Sequence, residues 1–265
     1  MKKKLLIPVV LIIVFIPVIA ILVSRSNNTH TPEPEPADEV RRRISEPVNE
    51  IPVSERPWVE IKPTSDGKHL VISIKEEKNG ASQAEYTLEY IAGTNLRGFD
   101  NLFQWDQLPI SEEMMLGSCS AGGKCSYDTD IKGGTITLRF PVDQPYAVQE
   151  DWVYFTTSEQ LGVFTSSDQL FTLEIEDLTA SYLIILNSPG YPGELDQEPL
   201  SALYSVQGSS ELTQTAIVSI NYDGQLPVTI VGFDGEEWQE FETTVNNGAA
   251  TAEVELLPLF TLVEN

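Results

Sequence analysis

From Trp58 onward the apolar and polar positions alternate with a period of two, the mark of strands that bury one face. Leu70, Ile72 and Ile74 alternate with His69, Val71, Ser73 and Lys75, and Tyr86, Leu88 and Tyr90 with Glu85, Thr87 and Glu89. The same pattern returns at Ile136, Leu138 and Phe140, and again at Phe171, Leu173 and Ile175. At Trp152 to Phe155 apolar residues fall on both sides, as expected of a central strand in a sandwich, and Tyr182 to Leu186 is a fully apolar strand. Further strand patterns fall at 202–206, 216–222, 227–233, 237–242, 250–256 and 260–263. The dipeptides Asp66-Gly67 and Asn79-Gly80 supply turns at hairpin-like spacing, and Asp223-Gly224, Asp234-Gly235 and Asn247-Gly248 separate several of the later strands. Helical periodicity is absent from this region, except that Ser111 to Met115 or Ser158 to Gly162 has room for one turn. These signals predict an all-β chain of two immunoglobulin-like or fibronectin-like sandwiches, residues 57–179 and 180–265.

A different pattern precedes them. Leu5 to Val23 carries no charge, follows Lys2, Lys3 and Lys4, and would span about 28 Å as a helix, close to a bilayer core. It predicts a transmembrane anchor with residues 1–4 cytoplasmic and the body outside, because Arg25 is the nearest base on the far side. The alternative is a secretory signal cleaved after Ala20, which would release the body. Residues 24–56 turn to Pro, Glu, Ser and Thr, with Pro32, Pro34 and Pro36 at alternate positions, and read as an extended, disordered stalk.

Charge narrows the choice of partner. The formal net charge is −24, and after Arg139 there is no Lys or Arg while 21 Asp or Glu follow. Such a surface repels phosphate, which excludes nucleic acid as a partner and leaves a protein or glycan ligand. Cys119 and Cys125 are the chain's two cysteines, and outside the membrane they read as a local disulfide. Between them Ser120, Ala121, Gly122, Gly123 and Lys124 form a short closed loop, the candidate recognition element. The loop lacks the first glycine and the terminal Ser or Thr of a phosphate-binding loop, since Ser118 and Cys125 stand there.

Catalysis has little footing, because His69 is the single histidine beyond the stalk and no nucleophile or zinc-protease motif occurs. No cofactor is expected. The acids at Asp128 and Asp130, at Glu174, Glu176 and Asp177, and at Asp234, Glu236 and Glu237 leave calcium as a weak option.

Leu203 to Val206, Thr215 to Tyr222, Phe233 to Trp238, Ala250 to Leu256 and Phe260 to Leu262 form a run of strands with an Asp-Gly turn and a tryptophan. In these residues the chain resembles β-sandwich modules of bacterial cell-surface proteins. Leu116 to Cys119, Cys125 to Tyr127 and Gly133 to Ile136 are similar to segments of uncharacterised membrane-anchored surface proteins of bacteria. The resemblance implies immunoglobulin-like modules and no catalytic residue. The sequence reading is therefore a non-enzymatic, membrane-anchored surface protein for binding, adhesion or scaffolding. Its alternatives are an extracytoplasmic glycan-active hydrolase and a periplasmic assembly or transport accessory protein.

Overall fold

In the computed structural model, residues 48–160 and 162–265 are described, and nearly all of the regular structure is β. The strands of the first half are β1 (Trp58–Pro63), β2 (His69–Glu76), β3 (Gln83–Ala92), β4 (Asn95–Gln104), β5 (Ile110–Met115), β6 (Gly117–Cys119), β7 (Cys125–Tyr127), β8 (Ile131–Phe140) and β9 (Tyr146–Thr156). Then come β10 (Val163–Thr165), β11 (Phe171–Glu174), β12 (Tyr182–Ser188), β13 (Leu203–Gly208) and β14 (Thr215–Asn221). The last are β15 (Val228–Phe233), β16 (Trp238–Phe241), β17 (Thr244–Asn246), β18 (Ala249–Glu255) and β19 (Leu259–Glu264).

A nine-stranded antiparallel sheet in the order β16-β15-β19-β13-β12-β9-β8-β3-β4 is the frame. On one face, a three-stranded sheet β1-β2-β5 closes a core of Ile61, Leu70, Ile72, Leu88, Ile136, Leu138 and Trp152. On the other, the five-stranded sheet β10-β11-β14-β18-β17 closes a second core around Phe171, Leu173, Val218, Ile220, Ile230 and Phe260. The uniformly apolar run in β12 is explained by its place between them. Successive strand residues point to opposite faces, so Ile184 and Leu186 enter the first core while Leu183 and Ile185 enter the second. All four are fully buried, and each contributes about 1.5–3 kcal/mol by leaving water.

The sandwiches therefore share a sheet. β9 pairs with β12 from Thr156↔Tyr182 to Trp152↔Leu186, so hydrogen bonds cross the boundary expected at 179/180. β10 and β11, which precede that boundary, pair through Phe171↔Ile220 with the sheet of the later strands. Asn79-Gly80 does not close a hairpin, because it carries the chain from β2 in the three-stranded sheet to β3 in the nine-stranded one. Ser111 to Met115, where one helical turn had room, lies in β5: Met114 is buried in the first core and Ser111 shares a 2.8 Å hydrogen bond with Ser73 of β2. At 157–159 the single turn does form, as a 3-10 helix. β4 has no counterpart in the sequence pattern: it is an edge strand whose one buried residue is Phe103, and its ten-residue pairing with β3 supplies the order that alternation lacks.

The body also begins earlier than the expected end of the stalk at 56. Val48 bridges Ala147 in parallel, and the Asn49 side chain pairs with β9 as a strand would, Nδ2 donating to Gln149 O at 2.8 Å and Oδ1 accepting from Gln149 N at 3.0 Å. Arg56 folds back and donates from Nε to Ile51 O at 2.9 Å and from Nη2 to Asn49 O at 2.6 Å. The predicted anchor at 5–23 and the stalk as far as 47 lie outside the described residues. Among the described residues no helix is long and apolar enough to cross a membrane.

Candidate functional site

Cys119 and Cys125 are joined in a disulfide, and the five residues between them cap the hairpin β6–β7. Register explains the bond: Gly117↔Tyr127 and Ser118↔Ser126 lead directly to Cys119↔Cys125 as an opposed pair. Beyond it Gly123 N donates to Ser120 O and Ser120 N to Lys124 O, each at 2.9 Å. Ser120, Ala121, Gly122, Gly123 and Lys124 are all exposed.

The base of the hairpin is tied to the fold. Leu116 is buried, its N–H donates to Lys68 O at 2.7 Å, and its carbonyl accepts from Asp128 N at 2.9 Å. Gly117, at φ 150°, runs so close to its partner strand that a Cβ would sit 2.2 Å from Ser126 O. Lys68 Nζ stands 4.8 Å from the Tyr127 ring centre, and His69 meets the same ring edge-on at 6.0 Å. The tip thus extends from a fixed base into solvent.

Removing the bond is expected to matter locally. The loop-closure value for so short a loop is about 2 kcal/mol, and a two-stranded hairpin outside the main sheets opens on its own. Replacing both cysteines by serine is therefore expected to lower the global melting temperature by less than about 5 °C while exposing the peptide bond after Lys124 to trypsin. Thermal denaturation and timed digestion measure the two. A melting point lower by 10 °C or more would mean that the hairpin belongs to the cooperative core.

Three of the acidic groups singled out in the sequence have structural duties. Asp128 accepts from Tyr90 Oη at 2.6 Å and pairs with Arg97 at 3.3 Å, while Asp130 pairs with Lys132. Asp234 caps the turn between β15 and β16, its Oδ1 accepting from Glu236 N at 2.8 Å and Glu237 N at 2.9 Å, and these backbone bonds lower its pKa. Among the described residues no three His, Cys, Asp or Glu side chains converge as a metal site.

A groove of about 420 Å³ that the sequence reading missed lies between the 192–197 loop and the β15–β16 hairpin. Val231 and Phe233 are on the face of β15 opposite the second core, where Phe233 packs with Trp58 of β1, Tyr191, Leu203 and Leu259, and Trp238 and Leu195 join this cluster. Glu194 and Asp196 line it from the loop, and Glu236, Glu237 and Glu240 from the hairpin. The loop is held in place, since Gly193 N donates to Glu76 Oε2 at 2.9 Å and Lys78 Nζ to Tyr191 O at 2.9 Å. Gly190 lies against Arg56, where a Cβ would come within 2.4 Å of the Arg56 carbonyl oxygen. Sequence held one clue, the tryptophan among acids at 236–240, but the facing wall comes from a loop more than thirty residues away.

Compared with family models, curated proteins and solved structures, the chain matches none.

Proposed function

We propose that this is a non-enzymatic extracytoplasmic binding protein. It is held to a membrane through residues 5–23 and raised on the Pro-rich segment, and its β body is presented outside to a protein or glycan ligand. In this reading the two cores correspond to two immunoglobulin-like or fibronectin-like modules fused through their common sheet, and the Cys119–Cys125 tip is a recognition element.

The observation that carries it is the disulfide-closed hairpin, exposed at its tip and fixed at its base. A small staple on a solvent-facing loop suits an oxidising compartment, and a rigid tip loses little conformational entropy when it is bound. The anionic surface and the charge bias around residues 5–23 favour the same side of the membrane.

Protease treatment of intact cells is expected to degrade the body while a soluble cytoplasmic marker survives. A body that stays protected until the cells are lysed would overturn the placement.

A further inference from the structure

Four aromatic rings meet where the loop, β1 and the β15–β16 hairpin converge. Trp58 lies edge-on to Phe233 at 5.5 Å, Phe233 lies 5.4 Å from Trp238, and Trp238 lies 6.1 Å from Tyr191. The two outer rings of this chain carry cations of the protein itself. Lys75 Nζ is 5.5 Å from the Trp58 centre, and Lys78 Nζ is 4.5 Å from that of Tyr191. Among the described residues no cation lies over Trp238, which lines the groove together with Phe233, and Glu194, Asp196, Glu236, Glu237 and Glu240 line the same groove. Neither lysine is spare, since Lys75 pairs with Glu60 at 3.2 Å and Lys78 is bonded to Tyr191 O.

We infer that the groove takes lysine or arginine side chains from a basic segment of a partner protein, with one cationic head over the Trp238 ring and the others paired to the rim. An aromatic face and nearby carboxylates attract the same charge by different physics, the ring through its quadrupole and the acids through Coulomb force. A divalent metal does not fit this site, because its floor is apolar and, among the described residues, no three acidic side chains converge to hold one. A single small organic cation would leave most of the five rim charges uncompensated, whereas successive basic side chains reach both walls. The chain supplies no competitor nearby in sequence, since no Lys or Arg follows Arg139. The inference extends the binding reading above and fails separately from it: protease treatment reports placement, and the titration below reports the groove.

The test uses the full chain in non-ionic detergent and a fluorescent lysine octapeptide, titrated by anisotropy at about 0.15 M salt, where long-range attraction is screened. Saturable binding is expected, with a glutamate octapeptide inert. Trp238→Leu is expected to weaken it about fivefold or more, and Glu236→Gln/Glu237→Gln/Glu240→Gln about tenfold or more. Glu211→Gln/Glu253→Gln/Glu255→Gln removes the same charge elsewhere and is expected to stay within about twofold. Equal losses from both triple variants would show that the general anionic field does the binding and would overturn the site, as would an absence of saturable binding. If Trp238→Leu does not fold, the two triple variants, which alter exposed side chains, decide the matter.

Discussion

Gly134→Ala is expected to lower the melting temperature by about 10 °C or more, or to prevent folding, although it adds one methyl group. Gly133 and Gly134 sit in β8 between two partner strands, Gly134 opposite Tyr90 on one side and Trp152 on the other. A Cβ on Gly134 would lie 2.0 Å from Glu89 O, and one on Gly133, at φ 109°, 2.2 Å from Trp152 O. Both obstacles are backbone carbonyls inside the shared sheet, close to the register shift between Ile91 and Ala92, so no side chain can swing aside. Relief requires separating β8 from its neighbours, which opens the first core around Trp152 and Ile136. Gly80→Ala is the control. Gly80 has a positive φ of 76° but nothing within 4 Å of its Cβ position, so it carries the conformational cost alone, about 1–2 kcal/mol. Melting curves followed by circular dichroism separate the two cases, and a Gly134→Ala protein melting within about 2 °C of the parent would refute the steric account.

The second large effect is expected where the N-terminal strap meets β9. Arg56 Nη1 lies 3.5 Å from Glu150 Oε1, with both side chains largely buried, and the same guanidinium serves the carbonyls of Asn49 and Ile51. Burial lowers the pKa of Arg56 and pushes that of Glu150 up to about 7, and the nearby Asp151 and Asp168 carboxylates add to the rise that Arg56 and Asn49 oppose. Arg56→Met strands the carboxylate and leaves two carbonyls without their donor, and is expected to cost about 2–4 kcal/mol. Glu150→Gln in the same chain is expected to restore a large part of it.

The pH dependence has a definite sign. The folded pKa of Glu150 is above its unfolded value near 4.5, so the folded state binds the extra proton between about pH 4.5 and 7. The contribution of Glu150 is full below that window and is lost as pH rises through about 7. Its size is of the order of 2 kcal/mol after allowing for the part of the side chain that water reaches. Repulsion within a chain of net charge −24 has the same sign, so the readout is the difference between parent and Glu150→Gln. Urea denaturation at pH 5 and pH 8 is expected to show a steeper loss for the parent. Equal losses in the two proteins would remove Glu150 as the cause.

Strand identity was legible wherever one face is wet and the other dry. Ile136, Leu138 and Phe140, or Phe171 and Leu173, announce strands because burial repeats every second residue. β4 escaped notice since an edge strand with one buried side chain needs no alternation, only a partner. The stapled tip was legible too, because two cysteines so close in a chain expected outside the membrane read as a local disulfide; that they oppose each other across a hairpin came from the register of β6 and β7.

The apolar run at 182–186 is where the two levels part. Its composition determines that the strand is buried on both faces, and by itself it does not say that the faces belong to different cores. That follows from pairing with β9 and β13, which places β12 in the frame that both smaller sheets cover. The strap at 48–56 and the groove beside Trp238 are likewise tertiary. Asn49 meets Gln149 a hundred residues away, and Glu194 and Glu236, from different elements, line one groove. Period and composition are local properties and determine that strands form, which residues they bury and that the later half is anionic. Which strands become neighbours, and what their edges leave open, was decided by long-range packing.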